Sequence, residues 1–112
     1  MVEPKLKSSI WVTAQVKMCD KNSIPIFVLK KGDPDAGSIL LKINRLELGI
    51  EIYNQSRTSD GKLTWISASA RNVFSEQAAS DYINKQCTID PDIWILEIED
   101  SKNQLRIEQI LV

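Results

Sequence analysis

The chain contains no histidine. That absence removes Ser-His-Asp and Cys-His nucleophile arrangements, histidine general bases and histidine metal sites. Any chemistry must run on Asp, Glu, Lys, Arg, Tyr, Ser or Cys. Cysteine is scarce: Cys19 and Cys87 lie far apart, and neither belongs to a C-x-x-C pair of the kind a zinc site uses. No apolar run approaches the roughly 18 residues that suggest a membrane span. Met1-Val2-Glu3-Pro4-Lys5 carries no apolar leader segment. The expectation is a cytoplasmic protein with free, buried thiols and no membrane partner. A basic excess is also missing. Fourteen basic residues against fifteen acidic ones leave a net charge of −1, whereas nucleic-acid binders draw affinity from neutralised phosphates.

What is present describes one folded unit. The 112 residues sit within the size range of a single domain, so residues 1–112 are expected to form one. A hydrophobic content of 43% and a charged content of 26% fit a globular chain rather than a disordered one. No internal repeat, linker or low-complexity tract interrupts it.

Residues 8 to 21 read as a helix. Ser8 or Ser9 is the expected N-cap. Ile10, Ala14 and Met18 make one apolar stripe, and Trp11, Gln15 and Cys19 the adjacent one. Residues 24 to 30 are almost continuously apolar and predict a strand buried on both faces, with Pro25 near its start. Strands follow at 38 to 45, with Ile39, Leu41 and Ile43 on one face, at about 48 to 54, and at 62 to 67 after the Asp60-Gly61 turn. A second helix is predicted over 76 to 87, capped by Ser75. Asp90-Pro91-Asp92 stops it. Residues 93 to 99 predict a central strand, and 105 to 110 a final one. The reading is α+β: a mainly antiparallel sheet of five to six strands with two helices, in the order αββββαββ.

Three motifs carry a family resemblance. They are Lys7-Ser8-Ser9-Ile10-Trp11-Val12, the loop Lys31-Gly32-Asp33-Pro34-Asp35-Ala36-Gly37, and Asp90-Pro91-Asp92-Ile93-Trp94-Ile95-Leu96-Glu97-Ile98-Glu99. In that order they resemble an alphaproteobacterial family, domain of unknown function 1491, over about residues 6 to 100. The resemblance implies a bacterial cytoplasmic protein. It supplies no activity, cofactor or residue roles. Residues 54 to 75 carry none of the motifs.

The aspartate-rich turns are the candidate site. Asp33 and Asp35 flank Pro34 between two glycines, and Asp90 and Asp92 flank Pro91. Four carboxylates gathered in space would suit a hard cation. The plainer reading is turn chemistry, with Asp accepting local backbone bonds and Pro fixing φ. Glu97 and Glu99 share a strand face and could pair as glycosidase carboxylates do. A competing hairpin register sets Glu99 opposite Gln104, Glu97 opposite Arg106, Leu96 opposite Ile107 and Ile98 opposite Leu105. A nuclease-like pattern occurs twice, as Pro34-Asp35 with Asp60-Gly61-Lys62 and as Pro91-Asp92 with Asp100-Ser101-Lys102. Both second halves fall at turns, which hold side chains less rigidly than strands. Trp65 and Trp94 are candidate interaction residues, set against core packing.

The leading functional reading is a non-enzymatic interaction or accessory domain that binds a protein partner or itself, with no cofactor. The alternative is a hard-cation-binding or hydrolytic domain on Asp33, Asp35, Asp90 and Asp92. A third is weak nucleic-acid binding through Lys30, Lys31, Lys42 and Arg45.

Overall fold

A computed structural model describes residues 6–69 and 73–106. The first helix, α1, spans Ser8–Lys21 as the periodicity predicts. Its N-terminus is built differently. Lys7 holds the N-cap position, with no side-chain cap. The first amides donate to a distant loop instead: Ser8 N–H to Asp35 O at 3.3 Å and Ser9 N–H to Pro34 O at 2.9 Å. Ser8 Oγ donates to Gly37 O at 2.6 Å. Helix starts leave orphan donors, and here a tertiary contact satisfies them, so no serine cap is needed. The buried stripe is Trp11, Gln15 and Cys19, with Ser8 and Val12 beside it. Ile10 and Ala14 face solvent. Both stripes have i, i+4 spacing, so periodicity could not choose between them.

The C-terminus of α1 is a Schellman motif. Ile24 N–H donates to Cys19 O at 2.8 Å and Ser23 N–H to Asp20 O at 3.2 Å. Ser23 takes φ 57°, a left-handed conformation that glycine adopts without strain. Ser23→Gly is therefore expected to stabilise the fold by about 0.5–1 kcal/mol, after the entropy that glycine loses on folding. A raised urea midpoint with an unchanged slope would show it; an unchanged or lowered midpoint would refute it.

Five strands follow: β1 (Ile26–Lys30), β2 (Ile39–Asn44), β3 (Ile50–Arg57), β4 (Leu63–Ser67) and β5 (Trp94–Glu99), with a short 3-10 turn at Leu46–Leu48. The second helix, α2 (Glu76–Ile89), lies between β4 and β5. Ser75 caps it, its side chain accepting from Ala78 N–H. The fold is α+β, with two helices on a mainly antiparallel sheet. The spatial order of strands is β1-β5-β2-β3-β4, and the β2–β5 pair is parallel.

Consecutive strands are not all neighbours. β1 and β2 do not pair, because β5 is inserted between them. The terminal hairpin register fails. Glu97 lies opposite Phe27 on one side and Lys42 on the other, so both edges of β5 are already paired. Gln104, Leu105 and Arg106 are not in a strand, and residues 107 to 110 of the expected last strand lie outside the described residues.

The central strands β2 and β5 bury both faces because α1 covers one side of the sheet and α2 the other. Ile39, Leu41 and Ile43 of β2 pack with Trp94, Leu96 and Ile98 of β5 against Trp11, Val12 and Cys19 of α1. Leu40, Ile52 and Ile95 point the other way, toward Ala79, Tyr82 and Ile83 of α2. Cys19 thus belongs to the α1 side and Cys87 packs on the α2 side. The sheet separates the two thiols, and both are free. Among the described residues no helix is long and apolar enough to cross a membrane.

Candidate functional site

The two Asp-Pro-Asp turns do meet, but through backbone rather than carboxylates. The loop leaving β1 must cross the start of β5 to reach β2. Asp33 N–H donates to Asp92 O at 3.0 Å. The Trp94 indole N–H donates to Asp33 O at 2.7 Å. Lys30 Nζ, from the end of β1, donates to Pro91 O and Ile93 O at 2.6 and 3.0 Å. The carboxylates serve their own turns. Asp33 Oδ2 accepts from Ala36 N–H at 2.8 Å, and Asp90 Oδ1 accepts from Asp92 N–H at 3.1 Å. Asp35 pairs with Lys7 across 3.7 Å on the surface. Among the described residues no three His, Cys, Asp or Glu side chains form a group suited to a metal ion. Asp60 pairs with Lys62 at an exposed turn, while Asp100 is buried at the end of β5. The second halves of the two nuclease-like matches thus lie in different settings, one an exposed turn and the other a buried carboxylate.

The candidate tryptophans divide. Trp94 is a core residue, buried at 6% exposure. Trp65 is half-buried on β4, where its ring packs on Trp11 with centroids 5.6 Å apart.

The basic residues proposed for nucleic acid are mostly engaged. Lys42 is buried and pairs with Glu97 at 3.0 Å and with Glu76 of α2 at 3.5 Å. Arg45 is the hub of a second cluster. It reaches Glu51 Oε2 at 2.6 Å, Asp100 Oδ2 at 2.5 Å and Leu105 O at 2.9 Å. Tyr53 Oη donates to Glu51 Oε1 at 2.6 Å. Burial pushes the Glu51 carboxyl up, but the hydrogen bonds from Arg45 and Tyr53 and the Arg45 charge outweigh it. The net shift is below the ordinary glutamate value. These groups tie the turn after β5 to β2 and β3. Of the four basic candidates, Lys31 is the one left exposed.

The feature that sequence reading missed is β1. The run at 24 to 30 was expected to be buried on both faces. Among the described residues it is an edge strand, paired with β5 alone. Phe27, Val28 and Leu29 are 50%, 38% and 52% exposed. An unbroken apolar run does not say whether a strand is central or merely uncovered. The Lys42 and Glu97 pair occupies the α2-side face next to Phe27, while α2 lies over β3. The signal was Pro25, since proline in sheets favours edges and strand starts. A bulge at Leu29 shifts the register, so the regular part of the edge is Ile26–Val28.

Comparison with known proteins places this geometry. A family model described as "Protein of unknown function (DUF1491)" matches residues 6–108. No curated protein matches the chain. A crystal structure of a DUF1491 family protein from Caulobacter crescentus CB15, an alphaproteobacterium, is 33% identical with a TM-score of 0.76, covering 86% of this chain and 89% of that one. An NMR structure of a DUF1491 family protein from the same organism is 33% identical with a TM-score of 0.74, covering 87% of each chain. A solution structure of a protein from A. tumefaciens shares the fold at 20% identity, with a TM-score of 0.73 over 96% of this chain and 93% of that one. The chain therefore belongs to the DUF1491 family, a family of unknown function.

Proposed function

We propose that this protein is a protein-interaction domain that self-associates by pairing β1 with β1 of a second copy. The supporting observation is the edge of β1, which no other strand among the described residues pairs, with three consecutive large apolar side chains exposed. An unpaired edge offers backbone donors and acceptors, and side chains on alternate faces give specificity. Natural edges are usually blunted by charge, bulges or cover. Here the bulge lies at Leu29, and Ile26–Leu29 contains no charge. The segment is also complementary to itself. An antiparallel pair centred on Phe27 sets Phe27 against its copy and Ile26 against Val28. Both are favourable cross-strand pairs, and no like charges face each other from Ser23 to Lys31.

So short a pairing belongs at the small end of interface sizes, so the dimer should dissociate in roughly the micromolar range or above. We also place the protein in a reducing cytoplasm, in keeping with two free thiols on opposite sides of a sheet. Light scattering after size exclusion, over a concentration series, should show mass rising toward twice that of the chain. Phe27→Lys should abolish the rise without lowering the melting temperature. A strict monomer at every concentration up to about a hundred times the micromolar range would refute the reading.

A further inference from the structure

Where α1 meets β3 and β4, the fold encloses a group of polar atoms that nothing else in it matches. Trp11 and Gln15 lie one turn apart on the buried stripe of α1, 4% and 5% exposed. Gln55 of β3 and Trp65 of β4 are directly opposed cross-strand neighbours. Both face α1. Trp65 packs against the α1-side core, and so does Tyr53, which shares a strand face with Gln55. The rings of Trp11 and Trp65 are in contact, so the four side chains form one layer. Their buried atoms are Trp11 Nε1, Trp65 Nε1, Gln55 Nε2 and Gln15 Oε1. Among the described residues these are the buried side-chain nitrogen and oxygen atoms without a hydrogen-bond partner, and all four fall in this one place. Buried polar atoms nearly always find partners, because leaving one unmatched is costly.

We propose that this layer is a binding site for internal water, with two molecules held between α1 and the β3–β4 pair. The atom count selects the ligand. Three N–H donors face one carbonyl acceptor, so the occupant must accept from several donors and also give a hydrogen to Gln15. A cation accepts nothing. An anion would take the donors but set its charge against the Gln15 oxygen, and Arg45 is already paired with Glu51 and Asp100. Water accepts two hydrogen bonds and donates two. One molecule cannot accept from three N–H groups, so two is the smallest number that satisfies the set. A chain of this length holds about four buried waters, which makes two in one layer an ordinary complement. The four atoms are closed off from solvent, which restricts the site to a molecule small enough to enter by local opening. Bonds through water are nearly as favourable as direct ones, so the pair fastens α1 to β3 and β4. The site lies beside β4, across the sheet from β1, and does not depend on self-association.

Each tryptophan gives its own indole signal in a 1H–15N spectrum, so the site can be read atom by atom. In 15N-edited NOESY and ROESY spectra of the full chain, the Trp11 and Trp65 indole protons should show cross-peaks to water. Those peaks should have opposite sign in the two experiments, the mark of a bound molecule rather than of proton exchange. The Trp94 indole, which donates to Asp33 O at 2.7 Å, is the reference for a donor matched by protein. Gln15→Leu keeps an apolar volume but removes the acceptor, and should abolish both water cross-peaks while the Trp94 signal stays in place. If that variant fails to fold, as its melting curve will show, Gln55→Met at a half-buried position replaces it and should abolish the Trp65 peak. Absent or same-sign peaks at either indole in the wild type would overturn the proposal. The donors would then be met by protein atoms, as a Gln55 amide turned over could do for Trp65, or by the face of the neighbouring ring. Water peaks that survive unchanged in the folded glutamine variant would overturn it too.

Discussion

Arg45→Met is expected to destabilise the fold by about 3 kcal/mol or more. Removing one partner of a buried ion pair leaves uncompensated charge in a poorly hydrated place. The Arg45 side chain is 9% exposed, and so is that of Asp100. Methionine retains most of the apolar stem, so the loss reports the charge and its hydrogen bonds rather than a cavity. Urea unfolding at neutral pH reads it directly. A loss below about 1 kcal/mol, the worth of an exposed pair, would show that the cluster is hydrated.

The pH dependence supplies a second and sharper readout. In the wild type the Glu51 carboxyl lies below its ordinary value of 4.5. The unfolded chain therefore binds its proton first as pH falls. The resulting stability is fully present above the unfolded value and is lost as pH drops through the folded one. In Arg45→Met the largest remaining influence on Glu51 is burial, which raises the carboxyl, and the bond from Tyr53 opposes it less strongly. The sign of the Glu51 contribution then reverses: protonation in mild acid should restore part of the lost stability. Stability curves for the two proteins should converge as pH falls below about 5. Parallel curves would mean that Arg45 does not set the ionisation of Glu51.

Local features were the legible ones. The bounds of α1, the cap at Ser75, the Asp60-Gly61 turn and the β5 segment follow from spacing and turn chemistry, which act within a few residues. Strand order was not legible. The insertion of β5 between β1 and β2 depends on α2 carrying the chain back across the sheet, and no short window contains that information. The same cause undid the Glu97 register. The next segment, 105 to 110, has the alternation of a hairpin partner, while the true neighbours, Phe27 and Lys42, lie far upstream. The candidate site divides along the same line. The dense Asp, Pro and Gly punctuation marked two turns correctly, and their meeting was a question that sequence could pose. Whether carboxylates or backbone meet there depends on how closely the chains approach. Exposure of Phe27, Val28 and Leu29 was hidden for a related reason. Apolar content records what a residue is, whereas exposure records what happens to lie above it.

The close approach of the two loops makes Gly32 the most tightly confined of the four glycines. Gly32→Ala is expected to cost about 3 kcal/mol, the upper end for forcing extra volume into a packed site. A Cβ there would lie 2.1 Å from Asp92 O and 2.7 Å from both the Ile93 carbonyl carbon and Trp94 Cδ1. Two of these are backbone atoms, which cannot turn aside as a side chain can. Nor can the strand slide, because Trp94 N–H donates to Ser38 O at 2.8 Å and Asp33 N–H to Asp92 O at 3.0 Å. Relief requires the Gly32–Gly37 loop to lift. That loop also supplies the carbonyls for Ser8 and Ser9, so the first turn of α1 should loosen with it. Hydrogen exchange at the Ser9 amide should therefore accelerate more than exchange at the Cys19 amide. Gly61→Ala is the matched control. Gly61 has φ 84° and nothing within 4 Å of its absent Cβ, so it should cost only the backbone strain of about 1 kcal/mol. If Gly32→Ala proves no more destabilising than Gly61→Ala, the loops do not touch as described, and Asp33 and Asp92 would be free to turn their carboxylates elsewhere.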